Sequence, residues 1–290
     1  DDDDHDDDHD DDPDLARSLD GCYVAVKLVD RRKIDRGRDA FRNMLCTQRE
    51  KEALMALNRV KSPFIVRLYG TFATSMYYGF VMYMCANRDL CNAILNLPGD
   101  HKRLTTNQSA YYMACIVEAL HQMHKLGWAH RDVKPENIII DHTHTPKLID
   151  FGCASPLQNY QQQGDTNFVG TPQYMAPEAI ANKVERRDMV DFWALGCCLH
   201  FFATGLHLFD GPSEFMVMCK IEKFECEIDS KCPAECKELI ERLVVMDPQK
   251  RLGCRHGAQD LRHHHFFKNA QIDFSHLTSM SPPVLPTFKR

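Results

Sequence analysis

The 290-residue sequence lacks any uninterrupted apolar stretch approaching the roughly 18 residues that a membrane-spanning helix requires. Its opening, DDDDHDDDHDDDPD, is acidic where a secretory signal peptide is basic and then apolar. It has no C-x-x-C pair. The thirteen cysteines are scattered and odd in number, with Cys197-Cys198 adjacent and Cys232 and Cys236 four apart. That pattern argues against a disulfide framework or a cysteine zinc site, and for reduced thiols in a cytoplasmic protein. A concentrated lysine and arginine block is also missing, which removes the usual footprint of a nucleic-acid binder. Removing the eleven aspartates of residues 1–14 takes the formal charge from −6 to +5, so the body of the chain is mildly basic. The acidic opening is of low complexity and repels itself. Residues 1–14 are therefore expected to be a disordered tail.

What is present suits one large core or two modest lobes, since 44% of the residues are hydrophobic. Residues 15–86 carry strand signals and one helix. Leu15-Ala16-Arg17 and Tyr23 to Lys27 predict two antiparallel strands with a turn near Asp20-Gly21. Gln48 to Leu57 is rich in strong helix formers, and Pro63 closes that region. Val66 to Tyr69 and Tyr77 to Met82 predict two further strands. From residue 87 the period becomes helical. Thr105-Thr106 can cap a helix whose apolar residues Met113, Ile116, Val117, Leu120 and Met123 form one buried stripe. The segment from Asp191 to Phe202 is apolar on nearly every face, which predicts a helix through the middle of a domain. His263-His264-His265 invites a metal reading, but successive helical residues cannot all face one ion, so no site is expected there. Residues 269–290, with Pro282-Pro283 and Pro286, predict an extended tail on the surface.

The chemistry gathers in His130-Arg131-Asp132-Val133-Lys134-Pro135-Glu136-Asn137, followed by Asp150-Phe151-Gly152. This is the order H-R-D-x-x-x-x-N and D-F-G that accompanies phosphoryl transfer from a nucleotide, a reaction governed by positioning and charge neutralisation. Asp132 is placed to accept the proton of an attacking hydroxyl, and Lys134 to steady the charge on the moving group. Asn137 and Asp150 are candidate ligands for Mg²⁺. Val24-Ala25-Val26-Lys27 fits V-A-I-K, whose lysine grips phosphates, and Glu50 is the best ion-pair partner for Lys27, with Glu52 the runner-up. By position, Tyr83-Met84-Cys85 is a hinge whose backbone meets an adenine. Met82 then stands at the back of that pocket, and Asp89 within reach of a ribose hydroxyl. Asp191 suits bonding to the catalytic-loop backbone, and Glu178 with Arg251 is the expected buried ion pair.

With those residues in view, the chain resembles eukaryotic protein kinases of the AGC group over about Leu15 to Phe288. The likeness rests on Asn167-Phe168-Val169-Gly170-Thr171-Pro172-Gln173-Tyr174, on Ala176-Pro177-Glu178, on Asp191 to Cys197 and on Lys250-Arg251-Leu252-Gly253-Cys254. His265-Phe266-Phe267 and Pro282-Pro283-Val284-Leu285 add to it, and Gln173 points within the group to the phosphoinositide-dependent subfamily. The resemblance implies an α+β, two-lobed fold: a small antiparallel sheet lobe over residues 15–86, a helical lobe over 87–268, and a tail over 269–290. It implies ATP and Mg²⁺, and Ser/Thr protein substrates that include other kinases in a signalling cascade. It also makes Glu136 a contact for an arginine upstream of the phosphoacceptor, while Phe201 replaces a second acidic contact.

Three departures shape the expectation. No G-x-G-x-x-G-x-V precedes Lys27, so the glycine hairpin that covers the phosphates is missing and the small lobe reads as incomplete. The usual activation-segment phosphosite falls on Asn167, with Thr166 one place early and Thr171 further on. Nothing in the sequence resembles the subfamily's lipid-binding domain. The competing functions are an active kinase and a kinase-fold scaffold with weak or no phosphotransfer. A full polar set of Lys27, Glu50, Asp132, Lys134, Asn137 and Asp150 favours the kinase.

Overall fold

The computed structural model describes residues 15–17, 23–35, 40–85, 87–99, 102–158 and 168–286. Leu15–Arg17 (β1) pairs antiparallel with Tyr23–Asp30 (β2), Leu15 opposite Ala25, and the expected turn at Asp20-Gly21 lies outside the described residues. Two helices follow where one was expected, Arg31–Asp35 (α1) and Ala40–Leu57 (α2). The first is a single turn started by Asp30, whose carboxylate accepts from the Arg32 N–H at 2.9 Å, too short to leave a periodic signal. Leu68–Ala73 (β3) and Tyr77–Tyr83 (β4) complete an antiparallel sheet in the order β1-β2-β4-β3.

The third strand starts two residues later than its β-branched sequence predicts, and the reason is tertiary. The Val66 N–H donates to Leu148 O at 3.0 Å, and Ile65 bridges Leu148 in parallel, so residues 65–66 belong to the seam with the second lobe. Asn58 then sets the start of β3, its Oδ1 accepting from the Leu68 N–H at 3.0 Å and its Nδ2 donating to Leu68 O.

The second lobe runs through Leu90–Leu95 (α3), Thr106–Lys125 (α4), Trp128–Ala129 (β5), Ile138–Ile140 (β6), Pro146–Leu148 (β7) and Ser155–Pro156 (β8). It continues through Pro177–Ile180 (α5), Arg187–Thr204 (α6), Glu214–Glu222 (α7) and Ala234–Leu243 (α8). Ala258–Arg262 (α9) and His265–Asn269 (α10) follow. Helix α4 opens on a reciprocal cap, Thr105 bonding the Gln108 N–H and Gln108 bonding the Thr105 N–H. The expected stripe is buried, but so is every residue from Ser109 to Val117, because α4 is enclosed on several sides. Helix α6 is buried almost throughout and stops at Gly205, whose φ of 77° closes it in the left-handed conformation. A Cβ there would stand 2.1 Å from Lys102 O, so both conformation and space demand glycine.

The tail departs from expectation. Its prolines keep it extended, yet Leu277 and Leu285 are buried, and the Tyr112 hydroxyl donates to Pro283 O at 3.1 Å. It is stitched to α4 and does not merely rest on the surface.

Arg251 is the strongest polar tie in this lobe. Its side chain is fully buried, and all five guanidinium N–H donors have acceptors: both oxygens of Glu178 at 2.7 and 3.1 Å, Met189 O, and Val245 O from two nitrogens. The planar group also lies over the Trp193 ring at 5.2 Å. Replacement of Arg251 by Met leaves the Glu178 charge buried and unpaired, which costs about 3–5 kcal/mol. Urea unfolding of Arg251→Met against the parent chain measures this directly. A loss below about 1 kcal/mol would show that water already satisfies Glu178.

Candidate active site

The hairpin β6–β7 pairs Ile138 with Leu148 and Ile140 with Pro146. It brings the ends of two loops together, residues 130–137 before β6 and residues 149–152 after β7. His130 joins them. Its Nε2 donates to Ile149 O at 3.0 Å, and its Nδ1 faces the Asp132 N–H at 3.3 Å. A backbone N–H can only donate, so Nδ1 is the acceptor and the proton sits on Nε2. The ring also packs edge-on against Phe151 at 5.1 Å between centroids.

Asp132 is buried and bonded at both oxygens. Oδ1 accepts from the backbone N–H and the hydroxyl of Thr171, each at 3.0 Å. Oδ2 accepts from Asn137 Nδ2 at 2.9 Å and stands 3.1 Å from Lys134 Nζ. Lys134 also donates to the Thr171 hydroxyl at 2.6 Å. Thr171, which the sequence placed only in the activation segment, thus closes directly on the base. Its approach depends on Gly170, with φ of 106° and an ideal Cβ position only 2.7 Å from Arg131 O. Thr166 and Asn167 lie outside the described residues.

On the opposite wall, Lys27 donates to Glu50 Oε1 at 2.7 Å and to Asp150 Oδ1 at 3.0 Å. Burial opposes the Lys27 charge, yet Glu50 and Asp150 together outweigh it and hold the ammonium above its ordinary pKa. Burial likewise lifts the Glu50 carboxyl, and Lys27 only partly pulls it back. Asp150 is the exposed member of the trio. Burial raises its carboxyl, but Lys27 and the Gly152 N–H hold it below the usual carboxylate range. Glu52, the alternative partner for Lys27, accepts instead from Gln48 at 2.8 Å.

Between the walls lies a cleft of about 420 Å³ lined by Ala25, Lys27, Val66, Met82, Tyr83, Met84, Cys85, Ile139 and Asp150. Tyr83, Met84 and Cys85, expected as a base-binding hinge, and Met82, expected at the back of that pocket, all line this cleft. The Tyr83 N–H already donates to Arg67 O at 2.8 Å, so it is not available to a base. Asp89, expected to reach a ribose hydroxyl, is also the cap of α3. Its two oxygens accept from the Asn92 N–H at 2.8 Å and from the Asn92 side chain at 2.7 Å, capping α3. Glu136 is half-buried, its Oε2 enclosed and without a hydrogen-bond partner among the described residues while its carboxyl lies beside the Cys91 thiol, and Phe201 is buried.

The loop is held from below by α6. Asp191, fully buried, accepts from the N–H groups of His130 at 3.0 Å and Arg131 at 2.7 Å, and from His124 Nε2 at 2.7 Å. His124 was not anticipated, since a histidine near the end of α4 carries no motif. Arg187 is a second such residue: buried at the start of α6, it donates to Ser155 Oγ and to Pro156 O, anchoring β8.

The hard oxygens of Asp150 and Asn137 fit a divalent cation. Asn137 Nδ2 is committed to Asp132 O and Oδ2, which leaves its carbonyl oxygen as the ligand atom. Asp150 keeps Oδ2 on a half-exposed, ionised side chain.

Residues 15–267 match the protein kinase domain family, so the chain belongs to that family. Within it the domain is AGC-like. It is 34% identical over 235 residues, 80% of the chain, to the human putative 3-phosphoinositide-dependent protein kinase 2 and to human 3-phosphoinositide-dependent protein kinase 1. Those matches cover 58% and 41% of the two relatives. Human cGMP-dependent protein kinase 2 is 34% identical over 233 residues, 79% of this chain and 29% of that protein. The chain thus spans less than two thirds of each.

Asp191 supplies a pH test. Burial raises its carboxyl, but His124, His130 and the Arg131 N–H more than compensate, so its folded pKa lies below the unfolded value. Its ionised form therefore contributes stability above the unfolded pKa of about 3.9, and that contribution is lost as pH falls through the lower folded value. Asp191→Asn should cost at least about 2 kcal/mol at pH 7, given about 1.5–3 kcal/mol per hydrogen bond to a charged group. The gap should close below about pH 4. Denaturation at a series of pH values checks it, and a gap that stays constant to pH 3 would exclude a lowered pKa at Asp191.

Proposed function

We propose that this chain is a serine/threonine protein kinase that transfers the γ-phosphoryl group of ATP to protein hydroxyls, other kinases among its substrates. The observation that carries the reading is the Asp132 cluster. A threonine hydroxyl already donates to Oδ1 of this buried carboxylate, while Lys134 reaches both partners. An incoming hydroxyl meets the same acceptor, and Asp132 takes its proton as the oxygen attacks the phosphorus. Lys134 neutralises charge beside that oxygen. Lys27, kept protonated and aimed into the cleft by Glu50, holds the nucleotide's phosphates, and in their absence bonds Asp150. Asn137 and Asp150 would hold Mg²⁺, which supplies neutralisation of the phosphate oxygens. The half-buried Glu136 carboxylate suits one arginine upstream of the phosphoacceptor, and the apolar Phe201 gives no second acidic contact.

The test pairs Asp132→Asn with Asp150→Asn, both near-isosteric. Transfer of labelled phosphate from Mg·ATP to a serine peptide with one upstream arginine should fall about 10²–10⁴-fold in Asp132→Asn. Calorimetric ATP affinity should stay unchanged in that variant and drop in Asp150→Asn. Unaltered transfer in Asp132→Asn rejects the kinase reading. Nucleotide binding without any transfer by the parent chain supports the scaffold alternative.

Regulation through the usual phosphosite is a separate expectation. A phosphate there brings about −1.5 to −2 charges, and the Asn167 amide cannot accept one. Activity should therefore survive phosphatase treatment. A large loss traced by mass spectrometry to phospho-Thr166 would show the opposite.

A further inference from the structure

The histidine run at the end of the second lobe behaves differently from three residues on a helix. His264 is the extended N-cap of α10, with φ −67° and ψ 139°, and only His265 begins the helix. The chain therefore bends between them, and the two rings stack at 4.4 Å between centroids, tilted by 32°. His263 faces elsewhere, its Nδ1 bonded to Gln259 O at 2.7 Å. Glu238 completes the cluster from α8, with Oε2 2.8 Å from His265 Nε2. One ligand atom from each of Glu238, His264 and His265 lies within 4.8 Å of the other two.

We propose that Glu238, His264 and His265 form a Zn²⁺ site that ties α8 to α10, with water or another ligand in the fourth position. Two imidazoles and one carboxylate form a borderline donor set that suits Zn²⁺ and serves Mg²⁺ poorly. The backbones are fixed before any ion arrives, because Leu239 beside Glu238 and Phe266-Phe267 beside the histidines are fully buried. Binding at His265 is an exchange: Nε2 gives up its proton while Nδ1 carries the one that keeps the ring neutral, and the Nε2 and Glu238 carboxylate that now face each other both bind the ion. At His264 the exchange costs more. Its Nδ1 faces the Phe266 N–H at 3.3 Å, and once one ring nitrogen holds metal the other must carry the proton, so that cap bond is lost. Arg242, a charged neighbour of His264, opposes the ion as well. The affinity should therefore be micromolar, well short of that of a closed structural zinc site. The site is independent of the phosphotransfer chemistry.

The whole chain is titrated with Zn²⁺ against a chromophoric chelator, alongside His265→Ala and Glu238→Gln. Because His5, His9, the aspartate run and the cysteines also attract Zn²⁺, the readout is the difference between chains and the labelling of one residue. The parent chain should take up one more Zn²⁺ than His265→Ala in the micromolar range. Zn²⁺ should protect His264 from diethyl pyrocarbonate, read by mass spectrometry, and the protection should vanish in His265→Ala and weaken in Glu238→Gln. Millimolar Mg²⁺ should not compete. Thermal unfolding with chelator present establishes that the variants are folded, and Zn²⁺ should raise the melting temperature of the parent more than that of His265→Ala. Equal uptake by parent and variant, with His264 labelled at the same rate with and without Zn²⁺, would overturn the site.

Discussion

One buried carboxylate governs the catalytic loop. Asp191 receives two successive backbone N–H groups, those of His130 and Arg131, which no strand or helix satisfies. A loop with buried, unbonded N–H groups would cost about 1–3 kcal/mol for each, so the anion under the loop is what permits the loop to be buried. Its position is set in turn by α6, a helix the sequence could place only in the centre of a domain. The route from fold to chemistry is therefore short. Core packing fixes α6, α6 fixes Asp191, Asp191 fixes residues 130–131, and the next residue is Asp132.

That support also explains where the backbone is strained. Arg131 has φ of 67° and Asp150 φ of 57°, both in the left-handed region that non-glycine residues rarely occupy. Such conformations persist only where surrounding bonds over-determine them. At Arg131 the restraints are the N–H bond to Asp191 and the Nε bond to Cys153 O at 2.8 Å. Asp150 is restrained by Lys27 and by the Gly152 N–H at 3.3 Å. The two strained residues flank His130, whose fixed tautomer bonds one loop to the other. The pair of loops is thus one polar unit, with Asp132 and Asn137 bonded to each other in one loop and Asp150 lining the cleft from the other.

The sequence carried much of this because the chemistry is local there. His130 to Asn137 and Asp150 to Gly152 are short fixed spacings that a sequence displays directly, although Asp191 and Thr171 are needed to hold them. The ion pairs Lys27–Glu50 and Glu178–Arg251 were also legible, Lys27 from its V-A-I-K pattern and Glu178 from Ala176-Pro177-Glu178. What escaped was decided by neighbours far along the chain. Val66 reads as strand but is captured by Leu148. Leu285 reads as a surface tail but is buried. Asp89 reads as a ligand contact, though an aspartate three residues before an asparagine N–H is equally a helix cap. His264 and His265 read as helix neighbours because a cap boundary is invisible in a three-residue run. Thr171 escaped in part: its segment was identified, but its contact with Asp132 required the turn at Gly170.

The charges around the catalytic loop and Lys27 are unequal in number. Three carboxylates, Glu50, Asp132 and Asp150, face two ammonium groups, Lys27 and Lys134. Glu50 Oε1 is engaged by Lys27, and Lys134 stands against Asp132, so Asp150 has only a share of Lys27. A polyphosphate drawing Lys27 toward itself would leave Asp150 ionised beside a second anion, in a partly buried site where such repulsion is weakly screened. The arrangement therefore favours a polyanion that arrives with its own divalent cation, for which Asp150 then turns from a repulsive neighbour into a ligand. The Lys27–Asp150 contact helps to keep Asp150 ionised.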